Sequence, residues 1–386
     1  MTISNPRPPR DEAEFASVTN LIQQVFADDA TTQAHLALVR STAFLPGSLP
    51  AVWHPDGRAL AVVQAVPCKI ALLGTWVAGG IITMVATDQD VRGQGHMRAC
   101  MNAAHEWLKS SGYPLAILYG IPAVYPRFGY RPVMPHSDVR YPTPERVAAR
   151  SLRQATTRDL EAITQLFNEQ EIDRPCSIQR QAEQWIWSGG TRSMAVLESA
   201  GGITGYARYA AAETSTLDVI ESATRAGHEP EFLDALHAQA AERGSRSVRL
   251  RLMPDHPLVR EVSRRATQLD LSDVQAVVQP PQAGMLCVLD IEAAVTLLQP
   301  QITRRLRGQA LRLEIGTRKG IDVGVGGPTV RIPQQADLAH VLSGYPGIAA
   351  LRQWGALQSD KHGFDLAQLA FPTEWPRWSV EPYWGE

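Results

Sequence analysis

Apolar positions recur every three to four residues over Glu14–Phe26. Phe15, Val18, Leu21, Ile22, Val25 and Phe26 fall on one stripe, which predicts an amphipathic helix. A second short helix is expected over Thr31–Ser41. From Ala59 to Thr87 the pattern becomes β-branched and apolar, cut by turn residues, and predicts three strands: Ala59–Val66, Lys69–Leu73 and Trp76–Thr87. Helical spacing returns over Met97–Ser111, with Met97, Cys100, Met101, Ala104, Trp107 and Leu108 inward and Gly112 as the stop. Leu115–Tyr119 reads as a buried strand. Prolines thicken from Pro126 to Pro144 and mark a linker.

The order of elements then repeats. SLRQATTRDLEAITQLFNE resembles the opening of the first segment, with Thr156 or Thr157 able to cap a helix. A helix around Gln179–Trp187, strands at Met194–Glu198, Ile203–Ala211 and Leu217–Ile220, a helix Glu231–Arg243, a strand Ser247–Leu252 and a helix Leu258–Thr267 follow. This order suggests a structural duplication. VVQPPQAG, ending at Gly284, reads as a second linker. Beyond it lie a strand Met285–Asp290, a helix Ile291–Leu298, strands Leu311–Ile315 and Thr329–Ile332, and helices near Ala336–Leu342 and Ile348–Trp354. The tail carries Trp375, Trp378 and Trp384 and is expected to dock, since each ring has much area to bury. The expectation is a mixed α/β chain of three units, 1–145, 146–283 and 284–386.

Composition narrows the class. The chain has 386 residues, 44% hydrophobic and 20% charged, which excludes a disordered or fibrous protein. The net charge of -2 lacks the basic excess that phosphate neutralisation demands, so nucleic acid is not expected as the main partner. Cys68, Cys100, Cys176 and Cys287 form no C-x-x-C pair and read as free thiols in a reducing cytosol. The opening MTISNPRPPRDEAEF has no apolar core and does not read as a signal peptide. Gln64, Pro67, Lys69 and Gly74 cut the most apolar stretch into pieces too short to span a bilayer. A cytoplasmic protein without a membrane partner is expected. The ten histidines show no H-x-x-x-H or H-E-x-x-H array, so no metal is expected.

The chemistry concentrates in MVATDQDVRGQGHMRACMNAAHEW. A strand ends at Thr87, and Arg92-Gly93-Gln94-Gly95 leads into a helix at about His96. Glycines expose backbone N–H groups, first-turn amides are unpaired, and the helix dipole favours an anion there. An ordinary tight strand–helix turn would look the same. A P-loop needs Lys-Ser/Thr after the last glycine, which is missing. A dinucleotide fingerprint needs a third glycine where Arg98 stands.

Arg92-Gly93-Gln94-Gly95-His96-Met97 matches the R-x-x-G-x-G/A pyrophosphate signature of the GNAT acetyltransferases except at Met97. Together with Arg98-Ala99 and the segment Val124-Tyr125-Pro126-Arg127-Phe128-Gly129-Tyr130-Arg131-Pro132, the chain resembles the enhanced intracellular survival (Eis) family. The resemblance is sharpest over Val85–Pro132. It implies two GNAT-like units in tandem and a C-terminal sterol-carrier-protein-like unit. It also implies acetyl-CoA as cosubstrate. The backbone of Val85, Ala86 and Thr87 would pair with the pantetheine arm. The amides of Gly93, Gln94, Gly95, His96 and Met97 would hold the pyrophosphate, with Arg92 and Arg98 at phosphate oxygens. Tyr125 would be the general acid and Glu386, at the terminus, the base. Asp28 and Asp29 would line the acceptor wall and attract a cationic amine, either a small molecule or a peptide. A homo-oligomer, with hexamers the family expectation, is implied too.

The implied activity is N-acetylation of a polyamine, an aminoglycoside or a lysine side chain. The alternatives are a catalytically silent CoA- or lipid-binding protein and an aminoacyl-tRNA-dependent ligase, whose substrate needs a basic surface this chain lacks. In the second unit the corresponding loop reads ATRAGHEPEF. Its proline and acids at the helix start are unsuited to phosphate. Asp255-His256 reads as a loop, the Arg246–Arg251 alternation as one wet and one buried strand face, and Arg127 as a phosphate contact or a partner for an acid.

Overall fold

The structure, a computed structural model, describes residues 5–27, 33, 36, 45–145, 150–183, 185, 193–210, 215–266, 274–318 and 320–379. The first part of the chain forms helix α1 (Glu12–Phe26), strands β1 (Ala51–Trp53), β2 (Ala59–Leu72) and β3 (Thr75–Thr87), helix α2 (His96–Ser110), and strands β4 (Leu115–Tyr119) and β5 (Arg131–Pro142). The second forms β6 (Arg153–Gln154), α3 (Leu160–Glu171), β7 (Met194–Ser199), β8 (Gly202–Tyr209), β9 (Thr216–Thr224), α4 (Glu229–Glu242), β10 (Ser247–Leu250), α5 (Pro257–Arg265) and β11 (Gln275–Val288). The third forms α6 (Ile291–Leu306), β12 (Leu311–Ile315), β13 (Ile321–Val323), β14 (Thr329–Ile332), α7 (Leu338–Ser343), α8 (Ile348–Gln353) and α9 (Lys361–Ala370). The expected helix at Thr31–Ser41 lies almost wholly outside the described residues, and that at Gln179–Trp187 partly so. No described helix is long and apolar enough to cross a membrane.

Local chemistry sets the helix starts. Asp11 caps α1 by accepting from the Glu14 N–H at 2.9 Å, and Thr156 and Asp159 form a reciprocal capping box ahead of α3. The α1 stripe buries Val18, Leu21 and Ile22 but leaves Phe26 exposed. Helix α6 runs on through Pro300, past the expected end at Leu298. Its buried face continues through Ile302 and Leu306, and that packing outweighs a proline cost of about 3 kcal/mol.

Among the described residues, eleven strands form one sheet in the order β1-β2-β3-β4-β11-β5-β10-β9-β8-β7-β6. Both expected linkers are strands in the middle of it. Residues 131–142 form β5, and residues 275–288 form β11, which lies between β4 and β5 and pairs antiparallel with both. Prolines survive there because the ladder is interrupted: the β11 register breaks between Gln279 and Gly284, around Pro280 and Pro281. Pro67 likewise does not cut β2 in two. The β1 ladder covers only Ala59–Val62 of β2, so at Pro67 the strand has an edge that tolerates a residue without an N–H.

The expected duplication is visible in the pairing. Each half sets a helix before an antiparallel meander, then a helix, then a strand parallel to the last of the meander: β4 to β3, and β10 to β9. The third part folds as a small sheet, β13-β12-β14, against its helices. Its core is continuous with that of β2, β3 and β11 through Ile70, Ile81, Leu286 and Val288. The tail docks through residue 379, while Trp384 lies outside the described residues: the Arg377 N–H donates to the Pro175 carbonyl and the Ile178 N–H donates to Ser379 Oγ, both at 2.9 Å.

Candidate active site

Strands β3 and β4 pair only at Gly80–Ala116 and Ile81–Ile117, then separate. Beyond Ile81, β3 keeps β2 on one side, and its other edge through Thr83, Val85, Ala86 and Thr87 is open toward β4. The β2–β3 register slips between Val62 and Gln64, and Met84 there adopts φ +45°, an irregularity that bends β3 at the point of separation.

After Thr87, Asp88 caps a short turn at Gln89–Val91 and pairs with Arg58. The chain then enters the loop singled out above. Gly93 and Gly95 both take positive φ, +78° and +87°, a conformation that a Cβ would strain. Gly95 is the N-cap of α2 and supplies no side-chain cap, so the first-turn amides face outward without a side-chain partner. Arg92, Gln94 and Arg98 are exposed around it, and among the described residues no acid pairs with either arginine. A shallow depression is bounded by Gly93, Gln94, Gly95 and Arg98. Met97 packs inward beside Cys100, so its size is absorbed by the core rather than by the loop. His96 is 8% exposed, and its Nδ1 is buried with no partner among the described residues.

Tyr125 opens a tight turn, Tyr125–Phe128, and is 9% exposed. Its ring packs edge-on against Tyr130, with centroids 6.2 Å apart. Burial raises its phenol pKa, which keeps it protonated at neutral pH. Tyr130 is fully buried and its hydroxyl lies 2.9 Å from His105 Nε2. Among the described residues Arg127 pairs with no acid. It donates to the carbonyls of Val124 and Ala123, at 2.9 and 3.2 Å, and fastens the turn.

Tyr125 lines a cavity of about 690 Å³ that starts where β3 and β4 part. Its first wall is Ile81–Val85 of β3 with Tyr119 at the end of β4 and Gly120 and Ile121 after it. Its second is Pro135–Asp138 of β5 with Val277 and Gln279 of β11. The far end is Ile220, Arg249, Arg251 and Met253 of the second unit, with Arg377 and Trp378 from the tail. Among the described residues, the third unit contributes only Arg377 and Trp378 of its tail to this cavity.

Sequence reasoning missed most of these walls. The Arg246–Arg251 alternation is not simply a wet face: Arg249 Nε donates to Asp138 at 2.7 Å and Arg251 Nη2 to Asp218 at 2.7 Å, both over the cavity. The alternation itself was the available signal. His136 and Asp138 sat in a stretch read as linker. Asp28, Asp29 and Glu386 lie outside the described residues. Asp255 pairs with Arg174 at 2.7 Å, and His256 is buried, with Nδ1 accepting from the Leu258 N–H at the start of α5. The two serve packing and capping rather than catalysis.

The second unit lacks an open loop of this kind. Helix α4 starts with Glu229 and Glu231 in its first turn, and the Gly227 N–H already donates to Glu229 at 2.8 Å. Past the β9–β10 pairing, Arg377 donates to the Ile220 carbonyl at 3.0 Å, so the tail fills that place. Among the described residues no group of three His, Cys, Asp or Glu is arranged to hold a metal ion.

Comparison with known proteins agrees with this geometry. A search of curated proteins finds no match to the chain. Across solved structures the chain is similar to a GCN5-related N-acetyltransferase from Anabaena variabilis, with TM-score 0.73 at 14% identity over 96% of this chain and 98% of that one. It is similar to a conserved Enterococcus faecalis protein of unknown function described as a probable N-acyltransferase, with TM-score 0.70 at 15% identity over 97% and 96%. It is also similar to Eis1 from Mycobacterium abscessus, with TM-score 0.67 at 15% identity over 97% and 98%. At these identities the likeness is one of fold. Residues 6–133, the part of the chain that holds β3, the glycine loop and Tyr125, match the acetyltransferase (GNAT) domain family.

Proposed function

We propose that the protein is an acetyl-CoA-dependent N-acetyltransferase acting on an amine of a cationic small molecule, a polyamine, an aminoglycoside or a lysine side chain. The observation that carries this reading is Tyr125, a buried, protonated phenol on the cavity that begins where β3 and β4 separate. The open edge of β3 at Val85–Thr87 offers backbone groups to the pantetheine amides, as an added strand would. The capless start of α2, with Gly93–Met97 and the exposed Arg92 and Arg98, suits the pyrophosphate. The thioester would then lie beside Tyr125. An amine attacking it forms the C–N bond, the C–S bond breaks, and Tyr125 gives its proton to the departing thiolate.

On this reading the chain divides at 145 and 283 into a catalytic unit, a second unit that walls the acceptor cavity, and a sterol-carrier-protein-like unit whose tail reaches that cavity. Asp28, Asp29 and the Glu386 terminus are assigned to the acceptor end, and the protein is a homo-oligomer. The test is release of free CoA thiol from acetyl-CoA against spermidine, an aminoglycoside and a lysine peptide. Tyr125→Phe should reduce turnover by about 10²–10⁴-fold with acetyl-CoA affinity nearly unchanged. Near wild-type turnover in that variant would leave Tyr125 a packing residue.

A further inference from the structure

A large apolar side chain left singly on a surface needs no explanation, but several that converge on one concavity mark a binding groove. Four converge here: Phe26 at the end of α1, Tyr119 at the end of β4, Ile121 just after it and Val277 of β11 are all exposed, Ile121 by 64%, and all line the cavity that holds Tyr125. They come from elements far apart in the chain, so no local pattern accounts for their meeting. Ile121 stands next to the phenol. Its carbonyl accepts from the N–H of Val124, the residue before Tyr125, at 3.0 Å, and its neighbour Gly120 lies directly against the Tyr125 ring. The far end of the cavity adds Met253 and the half-buried Trp378. The charged lining is engaged differently. Among the described residues Asp138 is the only carboxylate on the wall, and it accepts from Arg249 Nε at 2.7 Å. Arg251 donates to Asp218 at 2.7 Å and Arg377 to the Ile220 carbonyl at 3.0 Å. A second ammonium on an acceptor therefore meets no uncommitted carboxylate on the described wall. Hydroxyls set against the apolar residues lose water without gaining a partner. Both effects act against a polyamine or an aminoglycoside, whereas a hydrocarbon body gains from the same surface.

We infer that the acceptor is a monoamine, one ammonium on an apolar alkyl or arylalkyl body whose hydrocarbon part lies on Phe26, Ile121 and Val277. This rests on the transferase reading above and narrows its acceptor to one class of cationic small molecule. The ammonium loses one proton to solvent, and the neutral amine forms the C–N bond to the acetyl carbon. The C–S bond breaks, the departing thiolate takes the Tyr125 proton, and the nitrogen's remaining extra proton restores Tyr125. Each turnover thus consumes ammonium and thioester and yields amide, CoA thiol and one proton. Binding energy comes from the hydrocarbon, so it should grow with the apolar area that the acceptor brings to the wall.

The test is kcat/KM for thiol release from acetyl-CoA with ethylamine, butylamine and hexylamine, beside phenethylamine, spermidine, an aminoglycoside and a lysine peptide. Along the alkyl series the basicity of the nitrogen is constant and only the apolar area grows. The expected rise is about fourfold per methylene, or about 10²-fold from ethylamine to hexylamine. Hexylamine and phenethylamine should exceed spermidine, the aminoglycoside and the peptide by about tenfold or more. Ile121→Ser should lower the hexylamine-to-ethylamine ratio by about tenfold, and a ratio is indifferent to how much of the variant folds. A flat alkyl series, a higher value for spermidine, the aminoglycoside or the peptide than for hexylamine, or an unchanged ratio in Ile121→Ser would each overturn the inference and leave the transferase reading standing. If no amine releases thiol, the transferase reading falls and this inference with it.

Discussion

Gly120 separates Tyr119 from the turn that carries Tyr125, and replacing it by alanine tests how tightly the phenol is placed. A Cβ at Gly120 would stand 3.0 Å from Cδ2 and 3.1 Å from Cζ of Tyr125, and closer still to Cε2. Carbon atoms settle at about 3.5–4.0 Å, so the ring must retreat by about 1 Å or more. Tyr130, fully buried, stands edge-on behind it. The ring therefore leaves its place rather than compressing a neighbour, at an overpacking cost of about 1–3 kcal/mol in stability. Gly120 does not use a left-handed conformation, so the backbone itself accepts alanine. A displacement of about 1 Å of a reacting group costs on the order of 10²-fold in rate. Thiol release by Gly120→Ala should fall by about that factor at saturating substrate. Acetyl-CoA affinity by calorimetry should stay within about twofold, because the Arg92–Met97 loop is untouched. A variant that folds and turns over within threefold of wild type would refute the argument that Tyr125 acts from this position.

Three further outcomes are expected. Arg92→Glu should weaken acetyl-CoA binding by about 1–3 kcal/mol in calorimetry, with one site per chain; two equal sites would mean that the second unit binds the cofactor after all. In the second unit, Arg180 is fully buried and binds Glu221 through two hydrogen bonds of 2.8 and 2.7 Å, while Arg377 of the tail sits over Glu171 and the same Glu221. Burial alone would raise the Glu221 carboxyl, and these arginines outweigh it and hold it at about 2. Glu221→Gln leaves buried guanidinium charge unmatched, so urea unfolding should show a loss of about 3–5 kcal/mol and limited proteolysis should cut the tail sooner. Finally, burial lowers His105 and His237 to about 4 and His256 to about 3. The unfolded chain takes up these protons from about pH 6.5 downward while the folded chain does not. Stability is therefore full above that pH and declines as pH falls toward 4, so the urea midpoint should drop between pH 7 and 5. A flat midpoint over that interval would contradict the burial of these imidazoles.

Local pattern decided much of this protein. Strands at Leu115–Tyr119, Leu311–Ile315 and Thr329–Ile332 were legible to the residue, because each is a short apolar run bounded by turn residues. The tight strand-to-helix turn at Arg92–Gly95 was legible as well, because the positive φ of Gly93 and Gly95 favours glycine, whereas Tyr125 was singled out by the family resemblance. What failed was reading prolines as linkers. Pro132, Pro135, Pro280 and Pro281 lie in β5 and β11, and only their partners in the assembled sheet explain why a missing N–H is tolerated there. That error hid His136 and Asp138, since a residue in a supposed linker has no wall to belong to. The order β4-β11-β5-β10 brings together strands from positions 115–142 and 247–288, and no local periodicity encodes which edge meets which. The cavity, its pairing of Asp138 with Arg249, and the seat of Trp378 against Tyr119 all follow from that long-range choice, which the tertiary fold alone makes.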